Sequence, residues 1–178
     1  IGINHNGDVA LAEKLLEAAK ETGASAAKLQ AFVPAQLLSR SSPYFDLLAN
    51  CALSRDNVKQ LMATAKSLNI TLFSAVFDEE SADLLAEVGA PAFKIASGDI
   101  NHLPLLRHVA AFGRPMLVSS GAATLDECIA ALKAIRSVSP RIPVAFFHCV
   151  SNYPTEPADA NLAAMTVMRE ALGVPVGF

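Results

Sequence analysis

Short apolar runs alternate along this chain with longer stretches in which apolar residues recur every three to four positions. The runs cover residues 1–3, 26–32, 70–77, 92–96, 115–119, 144–149 and 174–178 and read as seven strands. Between them Asp8 is placed to cap a helix with Leu11, Leu15, Leu16 and Ala19 inward, and Gly23 to stop it. Ser54 opens a helix carrying Val58, Leu61, Met62, Ala65 and Leu68 on one face. Asp78, followed by Glu79 and Glu80, suits a helix N-terminus on cap and dipole grounds, and Gly89 ends that helix. A short helix spans 103–111, Thr124 and Glu127 form a capping box for the next, and a last one spans 161–172. The stretch 33–53, with Pro34, Pro43 and several serines, reads as an irregular loop of functional length.

From residue 70 onward the strands repeat every 20 to 30 residues or so, the length of a strand, a crossover helix and two loops. Polar residues follow the strands at Lys28-Leu-Gln30, Ser74, Lys94 to Asp99, Ser119-Ser120-Gly121 and His148 to Tyr153. An open doubly wound sheet needs such residues only beside its switch point, whereas a closed barrel presents every strand end at one mouth. The pattern therefore predicts an α/β protein, an incomplete (β/α)8 TIM barrel with about seven strands present and the eighth missing. With no repeat and no linker, 1–178 reads as one domain, cut short at both ends.

Composition narrows the function classes. A chain of 178 residues that is 52% hydrophobic buries a substantial core. Its formal charge of -3 is scattered and offers no basic stripe to track nucleic acid. Every apolar run is interrupted before the roughly 20 residues of a membrane span, so neither nucleic acid nor membrane is an expected partner. Cys51, Cys128 and Cys149, without a Cys-x-x-Cys pair, argue against a disulfide framework or zinc knuckle and fit a reducing cytoplasm.

Lys28 and Gln30 are two apart in a strand and point the same way, so a cation and an amide share one face. Lys94 stands among apolar neighbours and is costly there unless it meets an anion. Either lysine alone is explained by a stem that snorkels to solvent; two at corresponding strand ends favour an anionic ligand. Ser97-Gly98-Asp99 and Ser119-Ser120-Gly121 each lie between strand and helix, where hydroxyls and backbone N–H groups cradle phosphate or carboxylate oxygens, although serine and glycine are also ordinary turn formers. His148 and Cys149 are adjacent and point to opposite faces, which favours a hydrogen-bonded structural histidine over a metal ligand. His102 and His108 read as surface or cap residues.

Together Ile1-Gly-Ile-Asn-His-Asn-Gly7, Lys28-Leu-Gln30, Phe93-Lys-Ile-Ala-Ser-Gly-Asp99, Ser119-Ser-Gly121 and His148-Cys-Val-Ser-Asn-Tyr-Pro154 resemble, in order and over nearly the whole chain, the barrel of the sialic acid synthase (N-acetylneuraminate synthase) family. The resemblance implies a (β/α)8 barrel that condenses phosphoenolpyruvate with N-acetylmannosamine or a related amino sugar. The products are N-acetylneuraminate or a related nonulosonic acid, and phosphate. It implies that Lys28, Lys94, Ser97 and Ser119 hold phosphoenolpyruvate, with Ser151 or Asn152 beside it, and that Gln30 and Tyr153 lie near the sugar. It also implies a divalent metal, Mn2+ or Mg2+, as Lewis acid. The family's catalytic Glu falls immediately before the position of Ile1, and its two metal-binding histidines and antifreeze-like C-terminal domain fall beyond Phe178, so the catalytic residues are not assigned within this chain and little activity is expected of it alone. A homodimer is implied for the full-length form. Leu29, Ala31, Ala75, Val76, Ser120 and Ala122 depart from the family pattern and bear on fine specificity, while Ser97-Gly98-Asp99 is more similar to the sialic and legionaminic branch than to the pseudaminic one. A Schiff-base aldolase with Lys94 as nucleophile, and a non-catalytic binding fragment, are the competing readings.

Overall fold

The Asp8 carboxylate accepts from the N–H groups of Ala10 at 2.8 Å and Leu11 at 3.2 Å, and so starts helix α1, Val9–Glu21. In the computed structural model, which describes all 178 residues, the chain divides into two compact units, Ile1–Phe93 and Lys94–Phe178.

In the first unit α1 is followed by β1, Ala26–Ala31, two short helices, α2, Pro34–Leu37, and α3, Phe45–Cys51, then α4, Arg55–Ser67, β2, Thr71–Val76, and α5, Glu79–Glu87. β1 and β2 are parallel, in register from Ala26 opposite Thr71 to Ala31 opposite Val76. Ala12 and Leu16 of α1, Leu61 and Ala65 of α4, and Ala27, Leu29, Ile70 and Leu72 form one buried cluster. Period two then turns Lys28, Gln30 and Phe73 to the opposite face, where they are half-buried. Ser54 caps α4 in a capping box closed by Asn57. Asp78 caps α5.

Two sequence expectations change here. Residues 1–3 do not form a strand. Gly2 has φ of +58°, so the chain turns after a single bridge to Leu29 and cannot extend a ladder. The stretch 33–53 is not irregular throughout. Pro34 sits in the first turn of α2, where its missing N–H costs nothing, and α3 forms without a capping side chain.

The second unit takes up the chain within β3, Phe93–Ile95, and continues through a 3-10 turn, Ser97–Asp99, helix α6, Leu103–Ala111, β4, Met116–Ser119, α7, Leu125–Val138, β5, Val144–Phe147, α8, Ala164–Leu172, and β6, Val176–Gly177. β4 and β5 are parallel from Met116 opposite Val144 to Ser119 opposite Phe147, and β6 pairs with β5 at Val176 and Gly177. Thr124 caps α7 with Glu127 reaching back to it. That helix buries Cys128, Ala131, Leu132, Ala134 and Ile135. α8 begins three residues later than its apolar pattern suggests, because Asn161 is left-handed at φ +42° and Ala163 offers no cap.

Strand, helix and parallel strand recur in both units. The architecture is α/β, of the (β/α)8 barrel class, and the chain carries six strands of it rather than seven. No helix is long and apolar enough to cross a membrane.

Candidate functional site

Polar residues gather at the carboxyl ends of the strands in each unit. In the first, the Lys28 carbonyl accepts from the Ile1 amine at 3.1 Å and from the Gly2 N–H at 3.3 Å, which seats the opening turn beside β1. A Cβ on residue 2 would stand 3.1 Å from Gln30 Oε1, so glycine lets that turn lie against the amide. Lys28 itself is half-buried, and burial alone pulls its amine below the ordinary lysine value. A desolvated cation whose charge no carboxylate supports is poised for an anion.

His5, visible in the sequence only as part of the small polar cluster Asn4-His5-Asn6, adds a buried group. It is 0% exposed, its Nδ1 accepts from the Gly7 N–H at 3.1 Å, and its buried Nε2 has no partner. Burial lowers its pKa, an effect that the nearby Gly2 backbone opposes in part. The neutral form is therefore the folded form. Above the unfolded pKa of about 6.5 this costs nothing; as pH falls below it the unfolded chain takes up the proton first and stability drops until the folded pKa is passed. Thermal melting between pH 7.5 and 5 should show this fall, and His5→Gln should flatten it.

In the second unit Lys94 donates to the Ile95 carbonyl at 2.5 Å. Asp99, in the turn after β3, has its carboxyl raised by burial, an effect that His102 and Lys94 oppose. Ser97 Oγ accepts from the Gly121 N–H at 3.0 Å. A Cβ on Gly121 would stand 2.8 Å from Ser97 Oγ and 2.7 Å from Ser151 Oγ. The loops after β3, β4 and β5 thus meet at one glycine, and Ser97, Gly121 and Ser151 line a cavity of about 240 Å³ with Gly98, Asn101 and Glu127. Ser119 is buried at the end of β4 and receives the Cys149 thiol at 3.5 Å. Asn152 does not join the Ser97 cavity; it lines a separate one of about 190 Å³ with Tyr153, which is 95% exposed. His148 donates through Nε2 to the Ala160 carbonyl at 2.8 Å and rests against the Phe178 ring. His102 is exposed and makes no side-chain cap, while His108 meets the Phe112 ring edge-on. No group of three or more His, Cys, Asp or Glu residues is placed to hold a metal ion, so these residues do not fit one by themselves.

A family model described as the NeuB family matches residues 15–178. The chain belongs to the NeuB family. Among NeuB relatives, the N,N'-diacetyllegionaminic acid synthase of Legionella pneumophila is 35% identical over 196 residues, covering 99% of this chain and 54% of that protein. The N-acetylneuraminate-9-phosphate synthase of Mus musculus is 30% identical over 192 residues, covering 100% of this chain and 53% of that protein. The crystal structure of the N-acetylneuraminic acid synthetase of Leptospira borgpetersenii, solved with citrate, superposes with a TM-score of 0.94 at 29% identity, covering 99% of this chain and 61% of that one. The chain spans about half the length of the curated relatives it matches. Several of the relatives are named as synthases of legionaminic acid, pseudaminic acid or N-acetylneuraminate 9-phosphate, which supports an enzyme of the synthase kind for the family.

Proposed function

We propose that this chain supplies the phosphoenolpyruvate-binding part of a NeuB synthase, which condenses phosphoenolpyruvate with N-acetylmannosamine or a related amino sugar to N-acetylneuraminate or a related nonulosonic acid. The observation that carries this reading is the meeting of the Ser97 and Ser151 hydroxyls about Gly121 at an open cavity. Hydroxyl donors that converge from separate loops suit an oxyanion. Lys28 and Lys94 would balance the charge of the trianion, Ser97, Ser119 and Ser151 would donate to its oxygens, and Gln30 and Tyr153 would contact the sugar. Asn152 lies with Tyr153, which supports Ser151 as the serine beside phosphoenolpyruvate.

In this reaction C3 of phosphoenolpyruvate forms a bond to the sugar aldehyde carbon, water gives its oxygen to C2, and the C2–O bond breaks. Phosphate leaves with the bridging oxygen, and the carbonyl forms at C2. The divalent metal, Mn2+ or Mg2+, would draw its ligands from outside these residues, and a homodimer is proposed for the full-length form. The free thiols Cys51, Cys128 and Cys149 support a cytoplasmic setting. An aldolase reading has one observation in its favour, the lowered Lys28 amine, since a neutral amine attacks carbonyls. Pyruvate with borohydride separates the two: the condensation reading expects no adduct at Lys28 or Lys94.

The direct test runs phosphoenolpyruvate and N-acetylmannosamine in ¹⁸O-water on this chain and on a form lengthened with the remaining segments of a NeuB relative. Sugar-dependent phosphate release in the lengthened form, with the label in the keto acid and none in phosphate, is the expected result. Label in phosphate, or release that ignores every acetamido sugar offered, contradicts it.

A further inference from the structure

The cavity between the loops after β3, β4 and β5 asks for an explanation of Gly121 itself. Gly121 is buried, yet its backbone is not in the left-handed region, so conformation does not demand glycine there. Space does. An added methyl would fall 2.8 Å from Ser97 Oγ and 2.7 Å from Ser151 Oγ, closer than a Cβ approaches other atoms, so the two hydroxyls would have to move. The Gly121 N–H meanwhile donates to Ser97 Oγ at 3.0 Å. A hydroxyl oxygen that already accepts a hydrogen bond is a stronger donor, and its hydrogen is free to turn away from the amide toward the cavity that Ser97 lines. We infer that Gly121 is a positioning residue: its N–H sets Ser97 as a donor, and its missing side chain lets the Ser97 and Ser151 hydroxyls stand on either side of one ligand oxygen. This rests on the phosphoenolpyruvate reading of the cavity and adds to it which group holds the donors in place.

The inference is tested by titrating phosphoenolpyruvate into this chain, into Gly121→Ala, into Ser97→Ala/Ser151→Ala, and into the triple variant, with melting temperatures recorded for each. Gly121→Ala should weaken binding roughly tenfold to a hundredfold, the range for losing one or two charge-assisted hydrogen bonds. In the double-serine background there are no hydroxyls left to displace, so the same substitution should change affinity by less than about threefold, the non-additivity expected of groups in contact. A merely structural role for Gly121 would lower the melting temperature of Gly121→Ala and leave the affinity of the folded protein unchanged, and that result overturns the inference. If Gly121→Ala alone melts too low to titrate, the titrations are run at a lower temperature where all four proteins are folded, and an equal affinity factor in the two backgrounds overturns the inference. Failure of the unsubstituted chain to bind removes the phosphoenolpyruvate reading and Gly121's role in it. Unchanged binding in Gly121→Ala removes the role of Gly121 alone.

Discussion

Lys28→Met should abolish measurable phosphoenolpyruvate binding while raising the melting temperature of the unliganded protein. The two effects share one cause. The Lys28 amine, carried from within β1, is held partly out of water, and burial lowers its pKa. The charged form therefore costs the fold free energy at neutral pH, and an apolar side chain of similar length removes that cost. The linkage has a definite sign. In the unsubstituted protein stability rises as pH climbs from the lowered folded pKa toward about 10.4, where the unfolded lysine also loses its proton. Lys28→Met should lack that rise. Binding moves the other way, because an anion is what the ammonium lacks; losing a buried charge-assisted contact of about 3 kcal/mol corresponds to a hundredfold or more in affinity. Calorimetric titration and thermal melts of the two proteins measure both effects. A destabilised Lys28→Met that still binds would contradict this account of β1.

The largest loss of stability should come from Asp78→Ala. Asp78 is 4% exposed, and its carboxylate accepts from the Ser81 N–H at 2.7 Å, the Ser81 hydroxyl at 3.0 Å and the Val33 N–H at 2.8 Å. Two of these bonds cap α5, and the third ties the backbone just past β1 to the start of that helix. Alanine removes the cap and leaves the Val33 N–H without its acceptor, a loss of about 2 to 4 kcal/mol. Asp78→Asn keeps one acceptor for the cap but sets an amide donor against the Val33 N–H if the other oxygen is retained for Ser81, so it should fall between. Urea unfolding at neutral pH ranks the three proteins. Equal midpoints for the native protein and Asp78→Ala would remove this tie from the account.

The caps were legible in the sequence because capping is local chemistry: Asp8, Ser54, Asp78 and Thr124 each hold the helix that follows. So was the shared face of Lys28 and Gln30, which needs only the period of a strand. What depends on distant parts of the chain was not. The tie from Asp78 to Val33 spans 45 residues, and no pattern around Asp78 distinguishes it from an ordinary cap. α3 has no capping side chain, and its residues Phe45–Cys51 lie in a stretch rich in serine and proline, so propensity pointed to a loop. The strand expected at 1–3 failed on one backbone angle at Gly2. Within the candidate site, Ser97 and Ser151 were each visible as turn residues, but their approach to Gly121 joins loops 24 and 30 positions away. A glycine next to two serines reads as a turn until the hydroxyls about it are placed. The buried, unpartnered Nε2 of His5 likewise had no signal beyond a small polar cluster.

The most direct test of the central claim is a titration of phosphoenolpyruvate into this chain followed by ³¹P NMR, with Ser97→Ala and Lys28→Met alongside. The account predicts saturable binding that weakens in the serine variant and disappears in the lysine variant. No binding by the unsubstituted chain, or binding that neither substitution changes, would contradict it.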